Sequence, residues 1–253
     1  MMELQGLQQK LSEQFHKTNI LETAIWCVPV HTVNIAYKPI VRTKMDILMK
    51  MLLISLQKET FKKAEQLSKI LLVEELFIQD LLTKMYKTGL ITKDEHFQLT
   101  EKGLQQLTSG VFEEDQEMTS KEALYSPTHQ TFLHGEIESV LDYDDFPEEM
   151  YRYQVQVEEL QVEHDQIVKE LQLLQMVEDE EEEKNLLITS IESFEDLQVN
   201  DVPCIEFILY DEAKEQITSR VWNTLTNNWD AILQNQLEEI EKLMWKERFL
   251  SEK

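Results

Sequence analysis

The chain has 253 residues, 42% of them hydrophobic, which is enough apolar content for a sizeable core in one or two domains. No apolar run approaches the ~18–20 residues of a membrane span, and the polar, amphipathic start lacks a basic-then-apolar leader. Cys27 and Cys204 lie far apart without metal-type spacing, so reduced thiols and a cytoplasmic location are expected. The net charge of −25 is uneven. Residues 36–93 hold 11 basic and 6 acidic side chains, whereas residues 111–212 hold 4 basic and 30 acidic ones.

Residues 1–42 read as an N-terminal extension. Residues 3–24 look helical, and Val33, Ile35 and Tyr37 alternate with polar or small residues. This predicts a strand from Val28 to Tyr37, with Pro29 confining its start to a sheet edge.

Residues 43–110 carry three helical periods. Ile47, Leu48, Met51, Leu52 and Leu56 follow a Thr43-x-x-Asp46 capping box. Ala64, Leu67, Ile70 and Leu71 share one face of a second helix, and Phe77, Ile78, Leu81, Leu82 and Met85 point inward from a third. Gly89 stands where a helix ends in a left-handed residue. Leu90 to Lys93 and Phe97 to Thr100 then flank an Asp94-Glu95 turn as two short strands. Thr100 can cap a closing helix from Glu101 to Leu107.

This order, with the Gly-Leu-Ile of 89–91 and the Leu-Thr-Glu-Lys-Gly of 99–103, resembles the winged helix-turn-helix family. The resemblance covers about a quarter of the chain. It implies a DNA-binding or protein-docking module, since winged helices serve both purposes in DNA-associated machines. In the DNA reading, Lys58, Lys62, Lys63 and Lys69 around the second helix contact phosphates. Gln79 is the base-reading candidate on the third helix, with Lys84 on its later turns and Lys93 on the wing. Glu74, Glu75 and Asp80 in the first half of that third helix weigh against specific DNA recognition and suit a protein partner equally well.

Residues 111–149 lose periodicity around Pro127, Gly135 and Pro147 and read as an acidic linker. Residues 150–253 read as an acidic helical region. Met150, Tyr153, Val157, Leu160, His164, Ile167, Leu171 and Leu174 repeat three-four, a heptad seam over 150–177. Val202 to Tyr210 reads as a short strand or a buried extended piece. Trp222, Leu225, Trp229, Leu233, Leu237, Ile240 and Met244 make an apolar stripe on a helix over 212–250. Tyr153, Val157, Leu160, His164, Ile167, Leu171, Trp222 and Trp229 are therefore the candidate contacts to a protein partner or a second copy.

Five glycines leave no dinucleotide fingerprint or phosphate loop, and no paired-cysteine, His-Glu-x-x-His or Gly-x-Ser-x-Gly motif occurs. No cofactor, metal or membrane partner is expected. The expected fold is mainly α: a winged helix with an N-terminal helix and strand, an acidic linker and a coiled-coil-like C-terminal region. The expected function is non-enzymatic, either on or beside DNA as a regulator or accessory subunit, or as a purely protein-binding adaptor.

Overall fold

The computed structural model describes residues 4–16, 18–137, 147, 150, 152, 160–178 and 185–250. It divides into two compact units. One comprises Met1–Ile35, Lys121–Glu170 and Phe194–Lys253; the other comprises Ala36–Ser120 and Leu171–Ser193. The described elements run α1 (Leu4–Ser12), β1 (Asn19–Lys44), α2 (Ile47–Lys58), α3 (Ala64–Leu71), α4 (Glu75–Lys87), β2 (Ile91–Lys93), β3 (Phe97–Leu99) and α5 (Glu101–Ser109). They continue as β4 (Val111–Asp115), β5 (Thr119–Ser126), β6 (Thr131–Leu133), α6 (His164–Glu178), β7 (Asn185–Asp211), β8 (Gln216–Asn223), β9 (Asn228–Trp229) and α7 (Ala231–Leu250).

The expectation of a mainly α chain is overturned. Strands β6-β5-β1-β7-β8-β9 form one sheet in that order, with β4 also paired to β1. Residues 111–133, expected as linker, supply three of these strands. Their acidic side chains sit on solvent-facing positions while Phe112, Ala123, Tyr125 and Phe132 are buried. In β5 the buried Ala123 and Tyr125 alternate with exposed Glu122 and half-buried Leu124, a period of two that the surrounding acids hid.

At the N-terminus the helix stops at Ser12 and β1 begins at Asn19, far short of the helix expected over 3–24. Nor is β1 an edge strand, since it lies between β5 and β7. Pro29 is nonetheless accommodated. Two residues earlier the Cys27 amide donates to the Met150 carbonyl rather than to a strand. Amides two apart in a strand project to the same side, so the N–H that proline lacks would point to the side on which Met150, not a strand, accepts the Cys27 amide.

The C-terminal region departs most from expectation. Residues 160–163 are not helical, and α6 begins only at His164, so no helix spans 150–177. The expected helix over 212–250 is a hairpin followed by a shorter helix. β7 pairs antiparallel with β8 from Cys204↔Asn223 to Asp211↔Gln216, and β8 returns to β9 through Trp222↔Trp229. Along β8, Ile217, Ser219, Val221 and Asn223 are buried in strict alternation. Asp211 Oδ1 accepts from the amides of Ala213 and Lys214, and Glu215 takes a left-handed φ of 51°, which turns the chain. Trp222, Leu225 and Trp229 have helical spacing, but they fall on β8, the turn and β9, and cross-strand pairing wins over the helical reading.

In the unit holding residues 36–120, α2 is capped by Asp46, whose Oδ1 accepts from Leu48 N and Met49 N at 2.8 and 3.2 Å. Thr43, expected as that cap, is the penultimate residue of β1. The buried face of α2 is Met49, Leu52, Leu53 and Leu56, leaving Ile47 and Met51 exposed. These residues pack with Leu67, Ile78, Leu82, Met85, Leu90, Ile91, Phe97, Leu107 and Phe112 as one core. β2 and β3 pair from Ile91↔Leu99 to Lys93↔Phe97, and the Phe97 amide donates to the Phe61 carbonyl. α5 is capped by Thr100, which accepts from the Gly103 amide and donates to the carbonyls of Gly89 and Leu90.

In the other unit, Trp26, Val28, Val30, Val202, Cys204, Ile208, Ile217, Val221, Leu233, Leu237 and Trp245 form a core between the sheet and α7. Leu11 of α1 packs with Ile205, Phe207 and Leu209 on a second cluster that includes Trp222 and Trp229.

Candidate functional site

α3 and α4 meet at a tight corner. Leu72 closes α3 in the left-handed conformation (φ 55°, ψ 39°), donating its amide to Ser68 O, while Ser68 Oγ donates to Val73 O at 2.7 Å. α4 then starts behind Glu74, which makes no side-chain cap bond. It buries Ile78, Leu82 and Met85, spaced four and three apart on one face. The opposite side and the corner carry four large apolar side chains in the open: Leu72 at 91% exposure, Leu76 at 68%, Phe77 at 62% and Ile70 at 57%. Phe77 and Ile70, expected inward, both point out. Glu74, Glu75 and Asp80 are exposed around them.

Such a corner is costly for the chain. A leucine in the left-handed region is strained by roughly 1–2 kcal/mol, and here it gains no burial in return. Apolar residues exposed singly are ordinary, whereas these four lie within eight residues around one helix-helix corner.

The residues proposed from sequence for phosphate contact are dispersed in their engagements. Lys69 pairs with Glu65 at 2.6 Å, one turn back on α3. Lys84 pairs with Glu114 of β4 at 3.1 Å and lies over the Phe112 ring. The Lys93 ammonium sits 5.0 Å from the centre of the Phe97 ring. Gln79, the base-reading candidate, donates to Glu75 Oε1 at 3.0 Å. Lys58, Lys62 and Lys63 are exposed at the end of α2 and in the link to α3.

The described residues of the expected partner-binding seam do not share one surface. Tyr153 and Val157 lie outside the described residues. Leu160 is half-buried ahead of α6, and His164 is exposed at the first position of α6, while Ile167 and Leu171 are buried. Trp222 and Trp229 pack edge to face at 5.1 Å, and Trp229 stacks further on Phe15 and Phe207. These tryptophans are core anchors on strands.

Two polar constellations in the unit containing α7 have no counterpart in the sequence reading. In the first, Ser126 Oγ lies 2.6 Å from His129 Nδ1, and His129 Nε2 lies 2.8 Å from Asp230 Oδ2. This is the order of a nucleophile, base and orienting acid. Ser126, however, has no exposed surface, and the His129 and Asp230 side chains are also buried. Asp230 has other duties: Oδ1 accepts from the amides of Ile232 and Leu233 at the start of α7, and Oδ2 accepts from Asn223. Burial pushes its carboxyl up, but the bonds from His129 and Asn223, the His129 charge and the Leu233 amide outweigh that and hold it below the usual range. The chain of bonds fastens the β5–β6 turn to the first turn of α7.

In the second, the Arg152 guanidinium bridges two buried carboxylates. Nη1 donates to Glu206 of β7, and Nη2 donates to both oxygens of Glu241 of α7 at 2.6 Å. Each carboxylate also receives an indole N–H, Glu206 from Trp26 at 2.9 Å and Glu241 from Trp245 at 3.0 Å. Burial drives the Glu206 carboxyl up, opposed by the Arg152 charge and the Trp26 bond and reinforced by Glu241. The signal was present in the sequence as a lone glutamate inside the apolar run Cys204 to Leu209. A charge centred in a fully buried strand requires a partner.

Comparison with family models, curated proteins and solved structures finds no match. Among the described residues no helix is long and apolar enough to cross a membrane, and no three His, Cys, Asp or Glu side chains converge as a metal site would require.

Proposed function

We propose that this protein is a non-enzymatic interaction subunit whose α2–α5 unit, arranged as a winged helix, docks another polypeptide through the α3–α4 corner. The observation that carries this reading is the exposed quartet Ile70, Leu72, Leu76 and Phe77, set among Glu74, Glu75 and Asp80. A helix reading DNA presents donors at its N-terminal half to base edges and phosphates. α4 presents apolar groups and carboxylates there, which phosphates repel. The partner this surface fits is a polypeptide with an apolar face flanked by lysine or arginine. A cytoplasmic setting accords with the two free, buried thiols.

The direct DNA reading retains Lys58, Lys62 and Lys63. Two measurements separate the alternatives. Capture from native lysate should yield a basic-faced partner with the unaltered chain and lose it with Leu76→Asp or Phe77→Asp. A duplex-DNA titration at two salt concentrations should show little binding. Steeply salt-sensitive DNA binding that Lys62→Glu and Lys63→Glu abolish, with α4 substitutions neutral, would overturn the docking reading.

A further inference from the structure

The Arg152 bridge has the construction of an occupied receptor. Its walls are regular elements: Trp26 on β1, Glu206 on β7, Glu241 and Trp245 on α7. Its occupant comes from outside any helix or strand, since Arg152 sits in a bend. Two carboxylates buried beside each other demand a cation, because leaving either unpaired is strongly unfavourable. Their oxygens are spread so that one planar fork meets both residues at once, which suits a guanidinium and not the point charge of an ammonium.

Beside the bridge lies a cavity of about 310 Å³ lined by Glu22, Ala24, Ile208, Met244, Trp245 and Arg248 as well as the triad itself. Its lining carries three carboxylates against two guanidiniums, and Arg248 is already turned to Glu22 at 2.8 Å. On α7, Ile240, Leu243 and Met244 are exposed next to Glu241. An acidic, indole-roofed socket thus opens beside an exposed apolar strip.

We propose that Glu206 and Glu241, with the Trp26 and Trp245 indoles, form a binding site for an arginine side chain of a partner polypeptide, and that Arg152 fills it in cis. The partner segment carries one arginine next to apolar residues, which lie along Ile240, Leu243 and Met244. Arg152 and the incoming arginine compete, so the site is accessible in proportion to the time Arg152 spends away. This site is in a different unit from the α3–α4 corner and stands whether or not that corner docks anything.

The test is a titration of the full chain with the peptide acetyl-Leu-Arg-Leu-Leu-amide and its lysine counterpart, read from the indole N–H resonances of Trp26 and Trp245. The arginine peptide should shift both resonances, and Arg152→Ala should bind it at least about tenfold more tightly, because removing a cis competitor removes its occupancy penalty. Arg152→Lys keeps a cation in the socket and serves for the same comparison if Arg152→Ala does not fold. Equal affinity in the unaltered chain and the Arg152 variant would overturn the proposal. So would equal binding of the lysine peptide, or binding that survives Glu206→Gln.

Discussion

Leu72→Gly separates the cost of the α3–α4 corner from its use. The residue is held at φ 55° and is 91% exposed, so glycine relieves roughly 1–2 kcal/mol of left-handed strain while forfeiting almost no burial. The glycine adds back about 0.4–1 kcal/mol of unfolded-chain entropy. The net effect is a stabilisation of about 0.5–1 kcal/mol, or roughly 2 °C in melting temperature for a chain of this size. Urea unfolding followed by circular dichroism should show a raised midpoint at unchanged slope. Leu72→Ala is the control, since its Cβ retains the strain and should leave the midpoint near that of the unaltered chain. The same Leu72→Gly chain should capture its partner more weakly. A loss of more than about 1 kcal/mol on Leu72→Gly would mean that Leu72 is buried against something in solution, and the argument for an open docking corner would fail.

Gly103→Ala should destabilise by roughly 1–3 kcal/mol in the same urea assay, because a Cβ there would stand 2.2 Å from the Leu90 carbonyl oxygen and 2.8 Å from Leu99 Cδ1. Asp230 has a folded pKa held below its ordinary value of 3.8, so its contribution is complete above that value and is lost as pH falls through the folded pKa. Asp230→Asn should therefore lower the melting temperature at neutral pH and flatten its decline as pH falls below about 4. Burial pushes the Cys27 thiol up to about 12 and raises Cys204 well above its ordinary value. Neither should react with a thiol reagent near neutral pH until denaturant is added, and rapid labelling of the native chain would contradict their burial.

The helical periods over residues 47–109 were legible because they are local. Leu52 and Leu56, or Ile78, Leu82 and Met85, fall on one face whatever surrounds them, and Thr100 finds its amide three residues on. What failed there was the outer boundary of each apolar face. Ile70 and Phe77 are apolar at near-core spacing, and only packing shows that no described residue of the same unit covers them. At 216–229 the failure was of kind. The three-four spacing of Trp222, Leu225 and Trp229 reads as a helix, but these residues fall on two strands and the turn between them once a sheet is there to receive them, whereas Ile167 and Leu171 do lie on a helix, α6. The acids of 111–133 concealed strands for the same reason, since half of every strand in a one-sided sheet faces water.

The amino-acid order by itself determined the short-range features: helix periods, the cap at Thr100, the left-handed glycine after α4 and the uneven charge. Tertiary structure alone decided the long-range ones. Arg152, Glu206 and Glu241 converge from positions 54 and 89 residues apart, and β1 meets β7 across most of the chain. Contacts of that separation depend on which buried surfaces find each other, a free energy summed over the whole fold and written in no local window.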